Sequence, residues 1–144
     1  MATYYDADLL LKLYDLRREE RMRKARAFLI GQFSAKNLEE FYSKYPRQSD
    51  EAALFRQVTT YWEMAASLVN NGALDEKLFF ENASEHFAVW ERIKHLVPEV
   101  RADRKNPLVF KNLESVAARY EKWLASQAPE AVEGIRKMLA AISR

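Results

Sequence analysis

Glycine occurs at only three positions, 31, 72 and 134, and proline at only four, in a chain of 144 residues. Between these breaks, almost every segment repeats apolar residues every three or four positions. That period is one face of an α-helix. Period-two alternation and clusters of β-branched residues, the marks of strands, are missing. The chain therefore reads as all-α: a single-domain antiparallel bundle of about five to six helices spanning residues 1–144.

A chain of this length buries roughly 70% of the surface that its unfolded form exposes, so it needs no staples. Apolar residues make up 49% and charged residues 31%, which places it with globular rather than disordered chains. There is no cysteine. That excludes disulfides and thiolate metal sites and fits a cytoplasmic location. Residues 1–8 are acidic and carry no basic stretch, unlike a secretory signal. The run Leu9-Leu10-Leu11 is soon interrupted by Lys12 and Asp15, and no stretch approaches the ~20 apolar residues that a transmembrane helix needs. Net charge is +2 overall, but +2 over residues 1–50, −4 over 51–100 and +4 over 101–144. So small a total argues against a nucleic-acid binder. The asymmetry places the acidic middle near the basic ends.

The segments follow from punctuation. Residues 6–30 read as one extended N-terminal helix, acidic at its start and stopped by Gly31. Its front is apolar on all sides (Leu9, Leu10, Leu11, Leu13, Tyr14, Leu16), whereas residues 17–24 are almost entirely charged. A second helix over 37–45 opens on an Asn37/Glu40 capping box and ends at Pro46. The third, over 50–71, is the cleanest amphipathic stretch, with Phe55, Val58, Trp62, Ala65 and Val69 on its inner stripe. It stops at Asn71-Gly72. A fourth runs from Asp75 to Val97 and ends at Pro98, with Asn82 and Ser84 as weak points. Residues 99–106 read as a polar connection. A fifth helix starts at Pro107 and reaches Gln127, and a sixth follows Pro129 with Val132, Ile135, Leu139 and Ile142 inward.

Several chemistries fail on residue supply. Phosphate-binding loops and serine-hydrolase elbows need closely spaced glycines. A di-metal bundle site needs Glu-x-x-His pairs, and none occurs here; Glu91 and His95, one turn apart, are two ligands and not a site. No metal and no cofactor is implied. His86 stands out because it falls on the apolar stripe of the fourth segment, between Ala83 and Trp90. It reads as a core histidine, or as a ligand or base in an internal pocket. The charged run Arg17–Arg26 reads as a solvated face held by Glu19–Arg23 and Glu20–Lys24 pairs, with phosphate contact as the alternative. Arg101, Arg104 and Lys105 form a second basic cluster before Pro107, placed to meet an anion at a helix start.

One stretch carries a resemblance. Residues 61–75 combine an aromatic pair before Glu63, a helix end at Gly72 and a restart at Leu74-Asp75. Trp90, Pro98, Arg101, Pro107 and the Phe110–Glu114 stretch continue the pattern. Together they resemble a bacterial domain-of-unknown-function family over about residues 9–125. The resemblance implies a small helical domain, often set behind an N-terminal membrane anchor, with no agreed catalytic residues to carry over. The N-terminus here is too short and too charged for such an anchor.

Three expectations follow. The first is a non-enzymatic, homodimeric protein-interaction module. Its contact surface is the all-round apolar start of the chain: Tyr4, Tyr5, Leu9, Leu10 and Leu13. The second is a pocket between the third, fourth and fifth segments that takes a small anionic or amphipathic ligand. There Arg101 and Arg104 hold the anion, with His86, Trp62 and Trp90 alongside. The third, an enzyme pairing His86 with Glu63, conflicts with the position of Glu63 on a polar face.

Overall fold

A computed structural model describes residues 1–142, and it is all-helical. Among the described residues there are nine helices rather than five or six, and no strand. They are α1 (Tyr4–Arg17), α2 (Glu20–Gly31), α3 (Leu38–Lys44), α4 (Asp50–Asn70), α5 (Glu76–Asn82), α6 (Glu85–Ile93), α7 (Val97–Arg104), α8 (Lys111–Gln127) and α9 (Ala131–Ile142). None is long and apolar enough to cross a membrane.

The higher count comes from three departures from the expected helices. The expected helix over 6–30 is two helices, because Glu19 turns away as the N-cap of α2. Its carboxylate accepts the amides of Arg21 and Met22, both at 2.9 Å. The bend lets Leu13 on one side and Met22, Ala25, Phe28 and Leu29 on the other reach the same core. The fourth segment breaks at Ala83, which is extended (φ −137°, ψ 115°), after the Asn82 side chain donates back to the Leu78 carbonyl at 2.9 Å. Pro98 does not end a helix but sits in the first turn of α7, so the expected loop over 99–106 is largely helical. A proline lacks the amide that a first turn leaves unpaired, so the same residue fits either reading. Pro107 lies before α8, which starts at Lys111 after Phe110 adopts a left-handed conformation (φ 57°).

Helix α4 is the centre. α2 packs on one part of it and α8 on another, while α6 lies against α2, α8 and α9. Its inner stripe is buried as the period predicts: Val58 and Ala65 are sealed and Trp62 nearly so, with Phe55 only half-buried. Gly72, just past its end, has φ +76°, a conformation that costs a residue with a Cβ ~1–2 kcal/mol. The start of α8 is held from a distance. Glu63 of α4 accepts the Leu113 amide and the Asn112 side chain, both at 2.8 Å. α9 is fixed by Arg136, which reaches Glu91 of α6 at 2.6 Å and also pairs with Glu121 of α8.

Candidate functional site

Helix α1 is mostly exposed, burying only Asp6 and Leu13. Its main helical neighbour is α2, and three polar contacts tie it to the rest. The Asp6 carboxylate completes the Thr3 capping box and accepts the Asp75 amide at 2.8 Å. The Tyr61 hydroxyl donates to the Leu13 carbonyl. Arg26 donates to the Arg17 carbonyl at 3.4 Å. Between these ties, α1 spans a cleft of about 290 Å³ bounded by α4 and α5. Leu10 and Leu13 form its α1 wall, Tyr61 and Trp62 its α4 wall, and Phe79 and Ala83 its far side.

Arg17 stands at this cleft, and its guanidinium is unusual. Its Nε is buried and makes no hydrogen bond. The charge lies over two rings instead, 5.2 Å from Tyr14 and 6.0 Å from Trp62. Among the described residues, no carboxylate forms an ion pair with it. The nearby acid, Glu85, is already engaged: it pairs with Arg26 at 2.8 Å and accepts the Trp62 indole N–H at 3.1 Å. Burial pushes the Tyr61 hydroxyl up to about 12, against the opposing pull of Arg17. It stays protonated as a donor.

The residues expected to form the site divide. Trp62 and His86 do come together, with ring centroids 6.1 Å apart. His86 is fully buried inside a cage of rings, 4.9 Å from Phe79 and 4.7 Å from Tyr120, and stacked on Phe80 at 6.2 Å. Neither ring nitrogen makes a hydrogen bond of normal geometry. Burial pulls its pKa down to about 3, opposed only by the nearby Ala83 backbone, so the ring is neutral. His86 is not part of the α1 cleft lining, and Glu63 is committed to the start of α8. The pairing of the two is therefore not formed. Trp90 is half-buried at the edge of the core.

Arg101 and Arg104 lie elsewhere. Arg101 ties α7 to the approach to α8, donating to the Val109 carbonyl at 2.9 Å and pairing with Glu114 at 3.1 Å. Arg104 is exposed in shallow grooves beside Arg56, with neither Trp62 nor His86 in their linings. The expected pocket is thus not assembled from these five residues. The expected contact surface divides as well. Tyr4 and Tyr5 are 81% exposed, Leu9 and Leu10 are half-buried, and Leu13 is a core residue at 5%. Glu91 and His95 do not converge: Glu91 serves Lys94 and Arg136, while His95 Nε2 meets the Ala35 carbonyl at 2.7 Å. Among the described residues, no cluster of three or more metal-ligating side chains exists.

The sequence reading missed Arg17, which it assigned to a solvated charged run. The signal was present: Arg17 follows Leu10 and Leu13 at helical spacing and shares their face. Within that run Arg21 and Lys24 pair with Asp50 and Arg26 with Glu85. Neither expected pair, Glu19–Arg23 or Glu20–Lys24, forms among the described residues, because Glu19 caps α2 and Lys24 turns to Asp50.

Residues 2–123 match the sequence model of a family described as a domain of unknown function, DUF4760. The chain belongs to that family. No curated protein and no solved structure matches the chain significantly. The DUF4760 span takes in α1, the cleft beneath it and the His86 cage, and it ends within α8 at Trp123. α9 lies beyond the DUF4760 match.

Proposed function

We propose that this domain is a non-enzymatic interaction module whose partner is a second copy of itself, docked through the outer surface of α1. One observation carries the reading. Of the ten large apolar side chains exposed among the described residues, five lie on this one helix: Tyr4, Tyr5, Leu11, Tyr14 and Leu16. Scattered single apolar residues are ordinary on a surface, but a concentration on one helix marks a contact site. Tyrosines also suit interfaces, because the ring supplies contact area while the hydroxyl remains solvated.

The structure changes which residues test the idea. Charging Leu13 would disrupt the core and say nothing about partners. Tyr4 and Tyr5 face solvent, so the double variant Tyr4→Arg/Tyr5→Arg keeps the fold. Analytical ultracentrifugation across micromolar concentrations is expected to show a dimer for the wild type and a monomer for the variant, with equal helix content. A monomeric wild type, or a variant that dimerises equally well, overturns the reading.

A further inference from the structure

We infer that the cleft beneath α1 binds an amphipathic monoanion, with its single anionic head on Arg17 and a short acyl-type tail against Leu10, Leu13 and Phe79. Three features on the page converge on that chemistry. The first is the unneutralised guanidinium, whose buried Nε lacks an acceptor. A guanidinium without a counter-charge beside apolar walls is destabilising, and an oxyanion meeting the cleft-facing end of Arg17 supplies the opposite charge.

The second is the character of the walls. The Trp62 indole N–H is taken by Glu85 and the Tyr61 hydroxyl by the Leu13 carbonyl. The Asn82 amide, at the edge, donates to Leu78 at 2.9 Å. With these polar tips engaged, the walls offer mainly carbon faces. A ligand with several hydroxyl or amide groups would strand them, while a plain hydrocarbon tail would not.

The third is size. A volume of about 290 Å³ stands at the small end of ligand pockets, and at roughly 30 Å³ per water-sized group it holds about ten heavy atoms. Octanoate, a seven-carbon tail with a carboxylate, has that count. The cleft and the proposed contact surface share Leu11 and Tyr14, while Tyr4 and Tyr5 lie outside the cleft lining and Arg17 outside the contact surface. Tyr4→Arg/Tyr5→Arg therefore tests the contact surface alone, and Arg17→Gln tests the cleft alone.

Isothermal titration of the full chain with octanoate, hexanesulfonate, 1-octanol and octylamine, all below their aggregation concentrations, tests it. Octanoate or hexanesulfonate is expected to bind one to one, at least tenfold tighter than 1-octanol or octylamine. The tighter of the two anions names the head group. Arg17→Gln is expected to reduce anion binding to the level of the alcohol and leave alcohol binding unchanged. Leu11→Glu, at an exposed position on the rim, is expected to weaken the anions selectively, which keeps the test sharp should Arg17→Gln fold poorly. No saturable binding of either anion by the wild type overturns the inference. So does equal affinity for anion, alcohol and amine.

Discussion

Replacing His86 with leucine should remove most of the acid sensitivity of this fold between pH 6.5 and pH 3. The ordinary histidine value is 6.5, and burial among Trp62, Phe79, Phe80 and Tyr120 holds the folded value near 3. On acidification the unfolded chain takes up this proton first, so stability falls as pH drops through 6.5 and keeps falling until the folded ring also protonates near 3. At ~1.36 kcal/mol per unit, the full difference is about 5 kcal/mol, and the part between pH 7 and pH 4 is about 3 kcal/mol. Against a typical total of ~5–15 kcal/mol, that is a large loss. Several carboxylates also resist protonation in the folded state. Asp6 is held low by the Thr3 backbone, and Asp50 by Arg21. Their contributions also fade in acid, but they are common to both proteins, so the difference between wild type and His86→Leu isolates the imidazole. At pH 7 the substitution should be nearly neutral, because it removes two unpaired nitrogens along with the ring contacts. Urea unfolding at pH 7, 5.5 and 4, followed by circular dichroism, measures the difference. If the leucine variant loses as much stability as the wild type from pH 7 to pH 4, the buried neutral imidazole is not the cause and the reasoning fails.

Three further outcomes follow from local geometry. Glu63→Ala should cost about 1–2 kcal/mol in urea unfolding, because the start of α8 loses the carboxylate that accepts the Leu113 amide; amide exchange should rise first at Leu113 and its neighbours. Gly72→Ala should cost about 1–2 kcal/mol although nothing crowds the site, since the penalty lies in the +76° φ alone. Gly31→Ala, at a helix end with open space around it, should show no such loss in thermal unfolding.

The helices readable in the sequence were those with local punctuation. Asn37, Ser49 and Asp75 each cap the helix that follows, accepting from the amide three residues on, and each stands where the side-chain type points. The misplaced boundaries had other causes. Glu19 caps α2 from within a run of arginines and glutamates, where helix interior and helix start look alike. Pro98 fits a helix end and a first turn equally well. The α8 start depends on Glu63, about fifty residues away in sequence, and no local pattern encodes that. The site followed the same division. Trp62 and His86 converge because both lie on regular stripes of helices that pack together. Arg17 was obscured by its charged neighbours, and Arg101 and Arg104 were misassigned because α7 read as a loop. A helix there carries them to Glu114 and Arg56 instead.

The ties that dock α1 have a property that bears on its history. Two of them end on main-chain carbonyls, those of Leu13 and Arg17, and the third uses Asp6 near its first turn. A carbonyl is the same whatever side chain the residue carries. The outward positions of α1 therefore contribute nothing to these ties and are free to drift, while the helix keeps its place and angle. If α1 carries the contact surface proposed above, substitution at positions such as 4, 5 and 16 changes what is presented without changing where the fold presents it.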